Sequence, residues 1–270
     1  MKTRLDVALF ERGLSKSREE ARALVMAGLV YLGETKAEKA GQFVTEETVI
    51  NVRGETCPFV SRGGLKLQKA MQEFPISLEG AVAADIGAST GGFTDCMLQS
   101  GAKQVYAIDV GYGQLDWKLR SDDRVIVLER TNARFMEPGW FSSPLDFASI
   151  DVSFISLDKI LPALYACLRD GGQVVALIKP QFEAGREKVG KHGVVSLEET
   201  HIEVIDRILA VSRGIGFCVK GLSYSPIRGP KGNIEYLVFL EKCIEDENCH
   251  SVIDHNTAVS IVKESHIVCI

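Results

Sequence analysis

The amino-acid sequence predicts an α/β protein in which a mostly parallel sheet of seven strands follows a smaller α+β unit. Two observations carry this prediction. From residue 80 onward, short apolar runs alternate with stretches of helical periodicity, which is typical of a parallel sheet covered by helices on both faces. Before that point the elements are shorter, and a break falls at Gly54 and at Cys57-Pro58. We therefore expect two domains, residues 1–57 and 58–270.

The small unit contains two short helical patterns and three strand-like pieces. Ser15 or Ser17 can cap the second helix, which is expected to end at Gly28. The strand-like pieces lie at residues 29–32, 43–44 and 49–52. The apolar residues that predict the first helix are Leu5, Leu9 and Leu14.

The larger unit opens with a helix that starts in SRGGLKL, at residues 61–67, and ends at Pro75. A long helix crosses residues 197–213. Only a loop with Pro226 and Pro230 separates the last two strands, so we expect them to pair antiparallel. The seven strands are expected at residues 81–86, 105–108, 125–128, 147–150, 174–178, 218–222 and 234–240.

Charge is distributed unevenly along the chain. The net charge is −5, but residues 241–270 hold six acids and two lysines, which leaves the first 240 residues at −1. Two basic runs stand out, and each is either a solvated face or a phosphate contact. The first run is Lys2, Arg4, Arg12, Lys16, Arg18 and Arg22, and the second is Arg207, Arg213, Lys220, Arg228 and Lys231.

The seven cysteines are scattered and show no C-x-x-C spacing, so neither a disulfide framework nor a zinc site is predicted. This usage fits a reducing compartment. The start of the chain is too polar for a signal peptide, and no apolar stretch approaches the ~20 residues of a spanning helix. We expect a cytoplasmic protein without a membrane segment.

A glycine loop, DIGASTGGFT at residues 85–94, follows the first strand of the larger unit. Gly87 allows a sharp turn, and Gly91 allows a ligand to approach the main chain. The loop has neither the G-x-G-x-x-G of a dinucleotide site nor the G-K-[ST] ending of a phosphate loop. The next strand ends in Asp109, which can accept hydrogen bonds from both hydroxyls of a ribose. The combination is typical of an S-adenosylmethionine site, and the alternative is an ordinary strand-to-helix turn.

Two lysines and two acids form a second constellation: Lys66, Asp151, Lys179 and Glu235. Asp151 and Lys179 each end a predicted strand, where the ligand crevice of an open sheet lies. A lysine can take the proton of a ribose hydroxyl only when it is neutral, and its ordinary pKa is ~10.4. A second cation, Lys66, lowers the pKa of a nearby lysine. The alternative is four routine surface or ion-pair residues.

Other transfer chemistries leave different marks. An enzyme that methylates the amino group of a base usually shows an N-P-P-Y-like turn where this chain has D-V-S-F. Methylation at a pyrimidine carbon uses a cysteine nucleophile in the crevice, but Cys96 and Cys167 fall on predicted helices. Asn132 either touches an adenine or caps a turn. His192 lies in a polar loop, which we expect to act as a lid or an RNA contact.

The chain resembles the TlyA family, also called hemolysin A-like proteins, over nearly its whole length. SRGGLKL, DIGASTGGFTD, DVSFISL, IKPQFE and GNIEYL match the family's motifs, and the first 55 residues resemble the RNA-binding domain of ribosomal protein S-four. The resemblance implies a Rossmann-like methyltransferase of the FtsJ class that methylates ribose 2'-oxygens of cytidines in 16S and 23S ribosomal RNA.

The resemblance also implies roles for individual residues. The catalytic tetrad would be Lys66, Asp151, Lys179 and Glu235. The contacts to S-adenosylmethionine would come from Asp85, Gly87, Ser89, Gly91, Phe93, Asp109 and Asn132. The RNA contacts are expected at Arg4, Arg18, Arg22, Arg62, Arg228 and Lys231. The expected partner is ribosomal RNA or a ribosomal subunit, with no metal.

Three other functions remain open from the sequence. A non-catalytic ribosome-assembly factor would bind ribosomal RNA without binding the cofactor. A membrane-active hemolysin would need an amphipathic or spanning segment, and none is evident. A methyltransferase of another RNA, such as tRNA, would share the same crevice.

Overall fold

The computed structural model describes residues 2–26, 28–53, 57–243 and 253–268. The chain divides into two compact units, Met1–Pro58 and Phe59–Ile270. They are called the small unit and the large unit below.

The small unit packs two helices against short antiparallel strands. Its core residues include Leu5, Leu9, Ala21 and Val30, which are fully buried. The hydroxyl of Ser17 accepts a hydrogen bond from the backbone N–H of Glu20 and so caps the second helix. The elements are β1 (Lys2–Arg4), α1 (Leu5–Glu11), α2 (Arg18–Met26), β2 (Val30–Leu32), β3 (Thr35–Lys36), β4 (Phe43–Thr45) and β5 (Ile50–Val52).

Strand β1 pairs with β4, and β2 lies between β3 and β5. Both predicted helices and all three strand-like pieces are present. Leu14 was wrongly placed in the first helix, which ends at Glu11 because Gly13 takes a left-handed φ of +70°.

The large unit begins with four helices and four strands. They are α3 (Gly64–Glu73), β6 (Val82–Ile86), α4 (Gly92–Gln99), β7 (Gln104–Ile108), α5 (Trp117–Arg120), β8 (Val125–Leu128), β9 (Leu145–Ile150) and α6 (Leu161–Cys167). The elements that follow are β10 (Leu168–Ile178), α7 (Pro180–Glu183), α8 (Glu198–Ile215), β11 (Phe217–Tyr224), β12 (Tyr236–Lys242) and α9 (His255–Val268).

These seven strands form one sheet in the order β11-β12-β10-β9-β6-β7-β8. Strand β12 runs antiparallel to β10 and β11, and the other neighbours are parallel. The predicted seven-stranded, mostly parallel sheet is confirmed, including its antiparallel final pair. The chain winds outward from β6 to β8 and then returns to the other side of β6 with β9. Ligands bind at such a reversal, beyond the carboxyl ends of the strands.

The acidic tail contains the helix α9, which packs on the fold through Ala258, Val262 and Ser265, all fully buried. The hydroxyls of Ser265 and Tyr236 lie 3.2 Å apart, so this helix touches the first residue of β12. Much of the remaining tail, residues 244–252, lies outside the described residues.

One cysteine departs from the sequence expectation. Cys218, in β11, is disulfide-bonded, although the scattered spacing gave no reason to predict a disulfide. Cys96, Cys167 and Cys243 carry free thiols.

The turn after β6 depends on Gly87. Its φ is +86°, a conformation that disfavours L side chains. A Cβ at this position would lie 2.6 Å from the carbonyl oxygen of Asp151, which belongs to the neighbouring loop after β9. The absence of a side chain therefore lets the two loops at the sheet reversal touch.

We predict that Gly87→Ala destabilises the protein by about 2–5 kcal/mol, because it combines left-handed strain with a backbone clash. The matched control is Gly80→Ala, since Gly80 has a φ of +71° but open space around its Cβ position. This control should lose only about 1–2 kcal/mol. Denaturant unfolding of the full chain measures both values, and equal losses would contradict the steric argument.

Candidate active site

Lys66, Asp151, Lys179 and Glu235 come from four parts of the sequence and meet at one place. Lys66 lies in the first turns of α3, Asp151 follows β9, Lys179 follows β10, and Glu235 precedes β12. The sheet order makes this possible, because β9, β10 and β12 are neighbours. The predicted convergence of these four residues is present in the structure.

Asp151 bridges the two lysines. Its Oδ2 lies 3.2 Å from Lys66 Nζ, and its Oδ1 lies 2.5 Å from Lys179 Nζ. Glu235 Oε2 lies 2.7 Å from the Lys66 ammonium, on a side chain that is 2% exposed. Two ammonium groups and two carboxylates therefore form one chain of contacts that runs Glu235, Lys66, Asp151, Lys179.

The charges in this chain fix the protonation of its central members. Burial by itself lowers the pKa of Lys66, but the charges of Asp151 and Glu235 outweigh burial and raise the pKa above its ordinary value. Burial by itself raises the pKa of Asp151, but Lys66 and Lys179 hold it below its ordinary value. Lys66 is therefore held as a cation, as its predicted role beside Lys179 requires.

Two further side chains contact the tetrad and were not predicted. Gln181 donates a hydrogen bond from Nε2 to Glu235 Oε1 at 3.1 Å. Lys179 Nζ lies 3.4 Å from the hydroxyl of Ser153. Both residues stand two places after a tetrad member, in IKPQF and DVSF, so their proximity in sequence was the available signal.

The tetrad lines a cavity of about 260 Å³. Asp85, Gly87, Ser89 and Phe93, four of the predicted cofactor contacts, lie in its wall. Asp85 is buried and accepts hydrogen bonds from the backbone N–H and the hydroxyl of Thr94. Burial raises the pKa of Asp85 to about 6, against the effect of these hydrogen bonds.

A second cavity, of about 490 Å³, adjoins the first, and its walls are largely apolar. Gly87, Ser89, Asp151 and Ser153 line both cavities. Ile86, Ile108, Val110, Val152, Ile155 and Ile160 supply its apolar walls.

Asp109 and Asn132, two further predicted cofactor contacts, lie in the wall of the second cavity. Asp109 accepts hydrogen bonds from the backbone N–H of Ser89 at 2.8 Å and of Gly111 at 2.6 Å. The Asn132 side chain accepts from the N–H of Arg134 and so caps a turn. Asn132 therefore caps a turn, which was one of its two predicted roles, and it also lines the cavity.

Gly91 packs against α5 and the residues just before it. Gly91 was expected to admit a ligand to the main chain, but a Cβ there would meet Leu119 Cδ1 at 2.3 Å and Leu115 Cδ1 at 2.8 Å. Gly91 precedes α4 and has a left-handed φ of +94°. Packing and backbone geometry, and not ligand approach, account for this glycine.

Cys96 and Cys167 lie on α4 and α6, as the sequence predicts. Burial raises the pKa of Cys96 to about 12 and that of Cys167 to about 11. Thiols held protonated in this way are poor nucleophiles.

In the small unit, three of the predicted RNA contacts surround one acid. Arg4, Arg18 and Arg22 lie 2.9, 4.0 and 3.0 Å from Asp6 Oδ2, and each guanidinium side chain is 44–49% exposed. The hydrogen bond from Arg4, with the contribution of Arg22, holds the pKa of Asp6 well below its ordinary range despite burial. We call these four residues the arginine cluster; it carries a net charge of about +2.

In the large unit, the predicted RNA contacts Arg62, Arg228 and Lys231 are exposed. Ser61 and Gly63, which flank Arg62, and Pro230, which precedes Lys231, line the tetrad cavity, so Arg62 and Lys231 lie near its rim. Lys231 also lies close to Gly193, next to the predicted lid residue His192.

The other three members of the second basic run have partners within the fold. Arg207 pairs with Glu183, Arg213 donates to the carbonyl of Ile253, and Lys220 lies 3.3 Å from Glu241.

Across the described residues, no group of three His, Cys, Asp or Glu side chains could hold a metal ion. In the same part of the chain, every helix is too short or too polar to cross a bilayer.

Known proteins resemble both units. Residues 59–242 match the model of the FtsJ-like methyltransferase, and residues 3–50 match the S4 domain. The chain is 50% identical over 266 residues to "Putative rRNA methyltransferase YqxC" of Bacillus subtilis (strain 168), which covers 98% of this chain and 94% of that one. It is 42% identical over 240 residues to "16S/23S rRNA (cytidine-2'-O)-methyltransferase TlyA" of Mycobacterium tuberculosis, with 88% and 90% covered.

A solved structure, "Putative hemolysin from Streptococcus thermophilus", is 50% identical and superposes with a TM-score of 0.79 over 99% of this chain and 96% of that one. The sheet order, the glycine turn after β6 and the 184 residues that match the family model all indicate the same fold, that of a methyltransferase. The chain belongs to the FtsJ-like methyltransferase family, and an S4 domain precedes its methyltransferase domain.

Proposed function

We propose that this protein methylates the 2'-hydroxyl of a cytidine ribose in ribosomal RNA, with S-adenosylmethionine as the methyl donor. The observation that carries the proposal is the contact chain of two lysines and two acids beside a nucleoside-sized cavity. The name of the Mycobacterium tuberculosis relative supports the choice of cytidine and of the 2'-oxygen.

The two cavities fit the proposed cofactor. The larger one has the volume of a small-molecule site, and its apolar walls suit the two faces of a purine. Asp109 lies where the ribose of a nucleoside would need an acceptor. Because Asp151 and Ser153 line both cavities, a molecule with its nucleoside in the larger one would place its other end beside the tetrad.

The tetrad supplies the proton chemistry. We assign Lys179 Nζ as the base that takes the 2'-hydroxyl proton, because it stands at the end of the contact chain and pairs with one tetrad acid, Asp151, whereas Lys66 pairs with both. Asp151 orients Lys179, while Lys66, held as a cation, balances the charge of Asp151 and Glu235. When bound, S-adenosylmethionine supplies an electrophilic methyl group on a sulfonium.

We predict that Lys179→Met lowers methyl transfer by about 10²–10⁴-fold, the range that general-base catalysis contributes. The assay incubates the full chain with ribosomal subunits and radiolabelled S-adenosylmethionine, then maps ribose methylation along both large ribosomal RNAs. Cofactor affinity, measured by calorimetry, should stay within a few-fold.

The matched control is Lys103→Met, which removes an exposed lysine after α4 and should leave turnover unchanged. If Lys179→Met retains turnover, the base assignment is refuted. If the unaltered protein binds ribosomal RNA but incorporates no methyl group, the non-catalytic assembly factor becomes the better account.

We propose that residues 1–57 form the RNA-recognition domain. The arginine cluster presents three half-exposed guanidinium groups against one carboxylate, so two positive charges are left to attract phosphates. Asp6 holds these groups in fixed positions, which lowers the entropy they lose when they bind. Phosphate contacts of this kind position an RNA without reading its sequence.

We predict that Arg22→Gln weakens binding of ribosomal RNA and lowers the slope of log affinity against log salt by about 0.7–0.9, the value of one phosphate contact. Filter binding over a range of salt concentrations gives both quantities. The control is Arg53→Gln, because Arg53 of the same unit is neutralised by Glu34 at 2.7 Å. An unchanged slope for Arg22→Gln would contradict a phosphate contact at the arginine cluster.

The expected cytoplasmic location stays a prediction. The membrane-active alternative receives no support from the described helices, none of which could cross a membrane.

A further inference from the structure

Glu183 is a buried acid outside the tetrad, and its side chain is only 2% exposed. Its carboxylate accepts three hydrogen bonds. Oε1 accepts from the backbone N–H of Leu157 at 2.8 Å, and Oε2 accepts from the Ser156 hydroxyl and from Arg207 Nη2, each at 2.5 Å. Charge-assisted bonds of this length are among the strong ones in proteins.

These bonds join the two segments that carry Asp151 and Lys179. Glu183 ends α7, the single helical turn that starts directly after Lys179. Ser156 and Leu157 end the loop that starts at Asp151, directly after β9. Glu183 therefore connects the helix that follows Lys179 to the loop that follows Asp151. Arg207 of α8 contacts the same carboxylate.

The loop from Asp151 to Leu157 needs such an anchor. Phe154 within it has a φ of +66° and is 90% exposed. A bulky residue in this conformation costs about 1–3 kcal/mol and persists only where surrounding contacts fix it. Its ring lies 4.9 Å from that of Phe182, which precedes Glu183 on α7. The same loop lines both cavities through Asp151 and Ser153, and it lines the larger one also through Val152 and Ile155.

The chemistry of the three donors requires a carboxylate. All three partners of Glu183 donate, so an ionised acid, which only accepts, satisfies every one. A glutamine of the same shape would turn an NH₂ group toward at least one donor. The hydrogen bonds that the replaced oxygen accepts would be lost, although the side-chain volume would stay the same.

We propose that Glu183 is a positioning residue for methyl transfer. Its hydrogen bonds link the loop after Asp151 to the helix after Lys179 and so fix the distance between the Asp151 and Lys179 side chains. The proposal rests on the proposed function, in which Lys179 is the base. Misplacement of a reacting group by about 1 Å costs roughly 100-fold in rate.

The test compares Glu183→Gln with Glu187→Gln, a control that removes an exposed acid four residues further along the chain. Turnover is expressed per cofactor-binding site, counted by calorimetry, so that loss of folded protein does not count as loss of rate. Glu183→Gln should lower kcat about 100-fold and leave KM for ribosomal RNA within about threefold. Ser156→Ala, which removes one of the three donors, should give a smaller loss.

Hydrogen exchange of the amides at residues 151–157 gives a readout that does not depend on activity. Exchange should rise in Glu183→Gln and stay unchanged in Glu187→Gln. Unchanged exchange, or a kcat per binding site equal to that of the unaltered protein, overturns the proposal. If the unaltered protein methylates no ribosomal RNA, the proposed function fails instead, and the exchange data still decide whether Glu183 holds the loop.

Discussion

The contact of one carboxylate with two ammonium groups determines how the rest of the site is organised. Asp151 can meet both Lys66 and Lys179 because the sheet places the end of β9 beside that of β10. Three charged groups taken out of water repel or attract strongly, so the arrangement is stable only if each charge has a partner. Glu235 supplies the second acid and gives the Lys66 ammonium a further partner at 2.7 Å. The cluster then keeps Lys66 charged while leaving Lys179 at the open end of the contact chain, beside the cavity.

The topology explains why the proposed cofactor and the proposed base would meet. The chain reverses direction in the sheet between β6 and β9, and the loops after these two strands line both cavities. Gly87 brings these loops together, since a side chain there would strike the Asp151 carbonyl. The close approach of Gly87 to the Asp151 backbone therefore also helps to position the Asp151 side chain in the tetrad. Binding of the proposed cofactor and orientation of the proposed base would therefore be linked through a few residues at one end of the sheet.

Much of this arrangement could be predicted from the sequence, because the periodicity of apolar runs and the turn glycines report local structure. The seven strands and the antiparallel final pair followed from that signal, and so did the placement of Asp151 and Lys179 at strand ends. Contacts between distant segments could not be predicted in the same way. The convergence of Arg4, Arg18 and Arg22 on Asp6 depends on the packing of α1 against α2. The packing of Gly91 on Leu119, the capture of Arg207 by Glu183 and the disulfide at Cys218 likewise depend on tertiary structure.

The most direct test of the charge bridge is the additivity of its members in single-turnover methyl transfer. The variants are Lys66→Met, Asp151→Asn and Lys179→Met, alone and in pairs. Residues that act as one unit show strongly non-additive losses. We expect each pair to lose about as much rate as its more damaged single variant. Losses that multiply in every pair would mean that the three side chains act independently, which contradicts the bridge.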